Sequence, residues 1–141
     1  MKWQRITGMI ACVLLIVSCF MHWAWYPDIR EYFTGFYSRA NYYGRPGVLL
    51  TSTGVLGIIF YAVRKPWADR INLVVSAIGM AYAITSYLRF TSSYDGFVPE
   101  KNTGIVVMIV SAIIHLVMSV LLLSMTKTMV PVPEPLEQKQ D

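Results

Sequence analysis

Four stretches of this 141-residue chain carry no charged side chain: 6–26, 47–63, 71–88 and 104–125. A helix that crosses the hydrocarbon of a bilayer takes about 20 mainly apolar residues, and each stretch approaches or exceeds that length. The two shorter ones are bracketed by Arg45 and Arg64 and by Arg70 and Arg89. Their long stems can lie along apolar surface while the guanidinium stays in water. Helices of a water-soluble bundle would each show a polar face, and these show none. Charged residues make up 14% of the chain and hydrophobic residues 55%, whereas a typical soluble domain is about 25% charged. The basic residues are scattered and form no stripe that would follow a nucleic-acid backbone. The chain therefore reads as all-α: an integral membrane, up-down four-helix bundle over residues 1–126, with the lipid bilayer as its surroundings and no nucleic-acid partner. The prolines at 131, 133 and 135 make 127–141 a polyproline-like, disordered cytoplasmic tail.

The first stretch also has a processing alternative. Ile16-Val17-Ser18-Cys19, after Lys2 and Arg5, is similar to a bacterial lipoprotein cleavage box, which would leave Cys19 lipidated. The apolar run continues through Phe20, Met21, Trp23 and Trp25, past the point where a signal peptide's core ends, so an uncleaved helix is expected. On that helix Cys12 and Cys19 are about 10 Å apart along the axis, beyond the roughly 7 Å that a disulfide spans.

Orientation follows from the basic residues in the short connections. Lys2, Arg5, Arg64, Lys65, Arg70, Lys127 and Lys139 fall on one side, and Arg30, Arg39, Arg45, Arg89 and Lys101 on the other. The first group is the larger and predicts that both termini are cytoplasmic. Trp23, Trp25, Tyr26 and Trp67 sit at the ends of the stretches, where interfacial aromatics belong.

Lipid tails are as apolar as leucine, so helices in a bilayer associate through close packing and polar contacts. Small and polar residues at alternating steps of three and four should mark the inward seams. These are Gly8, Cys12, Leu15, Cys19 and His22; Gly47, Thr51, Gly54, Ile58 and Tyr61; Asn72, Ser76, Gly79, Ala83 and Ser86; and Met108, Ser111, His115, Met118 and Ser119.

The connection 27–46 is rich in aromatics. Asp28 and Glu31 form a capping-box pattern after Pro27, and Ile29, Phe33, Phe36 and Ala40 share one helical face. A short amphipathic outer helix is predicted, lying on the membrane surface or capping the bundle mouth. The second outer connection, 89–103, turns at Asp95-Gly96 and pairs with the first as a lid.

Chemistry is sparse. With no Asp, Glu, Lys or Arg inside the four stretches, proton-coupled transport through an intramembrane carboxylate is disfavoured. His115 is expected to hydrogen-bond a serine, Ser111 or Ser119, across helices. His22 and His115 differ in depth by about 10 Å, which does not suit a shared haem iron, and Cys19 with His22 is too few ligands for a metal. No nucleophile–base pair or phosphate loop stands out. The expectation is a non-enzymatic chain with no catalytic, cofactor or metal residues.

The stretches FTGF, NYYGRPG, ADRINL, AYAI and YDGFVPEKNTG, within residues 33–110, resemble small uncharacterised four-span bacterial inner-membrane proteins. That resemblance implies the topology and a bacterial inner membrane, and brings no activity with it. The functional expectation is an accessory or interaction subunit of a membrane complex, or a homo-oligomer, with contacts at Tyr32, Phe33, Phe36, Tyr37, Tyr43, Arg45, Arg89 and Tyr94, since an exposed aromatic patch commonly marks a binding surface. The alternative is a lipid- or small-molecule-binding or transport protein. Its pocket would lie at the outer mouth of the bundle, lined by Tyr32, Tyr37, Tyr43, Arg45, Arg89 and Tyr94.

Overall fold

The computed structural model describes residues 1–38, 44–92, 96 and 98–128, the last two by backbone alone. It is mostly helical. Four helices are long and apolar enough to cross a membrane: α1 (Lys2–Phe20), α2 (Pro46–Val63), α3 (Pro66–Thr91) and α4 (Thr103–Thr128). Helices α2 and α3 each begin on a proline, where the missing N–H has no intrahelical partner to lose. Only Arg64 and Lys65 separate them, and Arg64 takes a left-handed conformation (φ 52°) to turn the chain.

Helix α1 packs against α2 and α4, and α3 packs against the same two. The buried seams are rich in small and polar residues. All five seam residues of α3 are buried. So are Gly8, Cys12, Leu15 and Cys19 of α1 and Met108, Ser111, His115 and Ser119 of α4. On α2 the seam is rotated from the expected one: Leu50, Thr53 and Gly57 join Gly47, Gly54 and Tyr61 inside, while Thr51 and Ile58 are half-buried. The large aliphatics point the other way. Ile10, Val17, Val74, Ile78, Val110 and Val117 are exposed, an outside more apolar than much of the inside.

The molecule is not all-α, and among the described residues of 27–46 the predicted amphipathic helix is absent; Ala40, on its expected face, lies outside the described residues. A three-stranded antiparallel sheet of order β2-β1-β3 stands in its place, built from β1 (His22–Tyr26), β2 (Glu31–Thr34) and β3 (Glu100–Lys101). Helix α1 stops at Phe20, short of the expected residue 26, and the N–H of Met21 bonds back to Ser18. The Trp23 indole Nε1 donates to the same carbonyl at 2.7 Å, helping to satisfy the helix end. Residues 27–30 form the hairpin turn. Pro27 suits it through its fixed φ, and Arg30 adopts φ 53°. Asp28 and Glu31 therefore make no capping box, since Glu31 pairs with Tyr26 across the hairpin. A register shift between His22 and Ala24 turns both Trp23 and Ala24 inward, with Tyr26 following at period two. The second outer connection reaches the sheet as β3, pairing Lys101 with Ala24 and Glu100 with Trp25.

Gly35 fastens this sheet to the helices. Its N–H donates to the Cys19 carbonyl at the end of α1, and its carbonyl accepts the Gly47 N–H at the start of α2. A Cβ at Gly35 would stand 2.9 Å from both the Cys19 oxygen and the Trp23 ring. Behind the sheet, Trp23 and Phe33 each meet Phe90 of α3 edge-on, and Phe33 lies 4.6 Å from Tyr26.

Helix α4 runs on to Thr128, past the expected start of the tail. Residues 129–141 lie outside the described residues.

Candidate functional site

Three polar or aromatic features stand out: a network in the middle of the helices and one site at each end. Every helix contributes to the network. The Tyr61 hydroxyl on α2 lies 3.1 Å from His115 Nδ1, 3.1 Å from the His115 carbonyl and 3.0 Å from Ser119 Oγ, both on α4. Asn72 Nδ2 on α3 donates to Ser119 Oγ at 3.3 Å. Cys12 Sγ on α1 lies 3.4 Å from His115 Nδ1. All five side chains are buried. Glycine makes the room: a Cβ on Gly57 would stand 2.7 Å from Cys12 Sγ and 2.8 Å from His115 Cε1.

The His115 ring thus meets Tyr61 and Cys12 rather than a serine. Ser119 instead donates its hydroxyl to the His115 carbonyl at 3.0 Å, and Ser111 is buried one turn away. His115 Nε2 and Asn72 Oδ1 have no hydrogen-bond partner among the described residues. His22 is exposed on the sheet, its ring tilted against Tyr32, and is not part of this network. Cys12 and Cys19 are both free and buried. Among the described residues no three His, Cys, Asp or Glu side chains gather as metal ligands. Chemically, the arrangement is a hydrogen-bonded clamp joining four helices.

At the end where α1 begins, Arg5 Nη2 pairs with Asp69 Oδ2 at 2.8 Å, and Arg5 Nη1 donates to the Tyr61 carbonyl at 3.1 Å. Thr126 of α4 donates to the same Asp69 oxygen at 3.3 Å. Both residues of the pair lie just outside the uncharged stretches 6–26 and 71–88, in first turns by which α1 and α3 begin earlier than those stretches. Helix α3 begins earlier than residue 71 and carries Asp69 inside, 3% exposed. Beside the pair opens a cavity of about 520 Å³ with mainly apolar walls, edged by Lys2 and Arg64.

At the other end the sheet presents an aromatic face. Tyr32 makes tilted ring contacts with His22 (4.4 Å between ring centroids) and Trp25 (4.2 Å) and is exposed. Of the expected contact residues, Tyr37, Arg45 and Arg89 are also exposed. Phe33 is buried in the core and Phe36 is half-buried against Phe20. Tyr43 and Tyr94 lie outside the described residues. A smaller cavity of about 300 Å³ here is lined by His22, Tyr32 and Asn102 among others, and includes neither Arg45 nor Arg89. The chain matches no family model, no curated protein and no solved structure.

Proposed function

We propose that this chain is a multi-pass, non-enzymatic accessory subunit of the bacterial inner membrane, and that it binds a partner protein through the exposed face of its sheet. The four helices form an up-down bundle in the bilayer with both termini cytoplasmic. The apolar exterior and small-residue interior support insertion. Arg64, Lys65 and Arg70, together in one short connection with Lys2 and Arg5 at the same end, support the orientation.

The observation that carries the partner reading is the cluster of the exposed His22 and Tyr32 with the half-buried Trp25 on the sheet. Rigid aromatic side chains anchor protein interfaces at small entropic cost. Tyr32 lies on β2, at the edge of the sheet, where a further strand of a partner can add. The competing role for such aromatics is simple anchoring at the lipid head groups.

A photo-crosslinking residue at Tyr32, with a second at Trp67 at the opposite end, separates the two in whole cells. Partner binding yields one reproducible protein adduct from position 32 and none from 67. Lipid adducts alone from both positions would defeat the proposal.

A further inference from the structure

The cavity beside Arg5 and Asp69 has the chemistry of a lipid site at the end of the molecule remote from the sheet. Its walls are mainly apolar and include Ile6 and Met9, and the exposed Lys2 and Arg64 line it as well. Asp69 is the one acidic residue lining it among the described residues, and its charge is already paired with Arg5. The remaining charge of the lining is therefore positive.

We propose that this cavity binds an anionic phospholipid. Lys2 and Arg64 hold the phosphate. One acyl chain lies along Ile6 and Met9, continuous with the exposed apolar face of α1. A phosphate and an alkyl chain match the basic and apolar parts of the lining, and a free phosphate would leave the apolar wall bare. The site rests on the membrane reading but not on the partner face. A chain that stays monodisperse in water without detergent removes both readings, whereas loss of the crosslink at Tyr32 leaves this one intact.

The test is native mass spectrometry of the full, delipidated chain titrated with phosphatidylglycerol and phosphatidylcholine of identical acyl chains. Phosphatidylglycerol should bind the more tightly. Lys2→Ala and Arg64→Asn, the latter chosen because asparagine tolerates a left-handed backbone, should each weaken phosphatidylglycerol about fivefold, or about 1 kcal/mol. Lys65→Ala and Arg70→Ala, at the same end but outside the cavity, should leave it unchanged. Equal binding of phosphatidylglycerol and phosphatidylcholine overturns the site. So does an equal loss in the Lys65 and Arg70 variants, which would mean diffuse surface charge.

Discussion

Gly57 illustrates how a single missing side chain organises the centre of the molecule. Its absent Cβ leaves the space that Cys12 Sγ and the His115 ring fill. Gly57→Ala should force α2 away from α1 and α4 and cost about 1–3 kcal/mol, in the range of other overpacked cores. The midpoint of thermal unfolding in detergent would read that loss. Tyr61→Phe keeps the ring and deletes only the hydroxyl shared by His115 and Ser119. It should cost about 0.6–2 kcal/mol, the span measured for hydrogen bonds between membrane helices. His115 was visible in the sequence as a buried polar residue, and its seam neighbour Ser119 with it. Its partners were not, because they depend on how α1 and α2 are rotated against α4. The clue that did exist was glycine: Gly57 stands one turn before Tyr61 on the same face of α2.

At the scale of elements, the helices were legible and the sheet was not. Uncharged runs of sufficient length mark the four helices, and the five small seam residues of α3 were readable in register. The failure lies at residues 22–37. The run His22-Trp23-Ala24-Trp25-Tyr26 is as apolar as the helix before it, so composition carried α1 too far. The bulge at Trp23 also breaks the alternation that would have signalled a strand, since Trp23 and Ala24 both face inward. What remained legible was the side of burial: Ile29, Phe33 and Phe36 do pack toward the core, from a turn, a strand and a bend instead of one helical face. Trp23→Phe tests the join between α1 and β1. It keeps an aromatic ring against Phe90 but removes the indole N–H from the Ser18 carbonyl. We expect a loss of about 1 kcal/mol, detected as a lower unfolding midpoint and as faster proteolysis within 27–38.

Across the whole molecule, the Arg5–Asp69 pair ties the start of α1 to α3, and through the Tyr61 carbonyl and Thr126 to α2 and α4. Removing one partner of a buried pair strands the other charge. Asp69→Ala should cost about 3–5 kcal/mol, and the double change Arg5→Met with Asp69→Leu should cost less than either single change. A double-mutant cycle on detergent-resistant unfolding would show it. Topology can be checked with single cysteines, because Cys12 and Cys19 are buried and should stay silent. Val98→Cys should react with an impermeant maleimide added to intact spheroplasts. Trp67→Cys, at the other end, should react only after lysis. The sheet adds a temporal consequence. Its middle strand lies just after the first helix and its third strand just before the last, so in the proposed bilayer topology a ribosome-bound chain cannot complete it until the α2–α3 hairpin has crossed and returned. In that topology a closed cap is a receipt for correct insertion, and a half-inserted chain would display β1 with an open edge to the proteases that police the membrane.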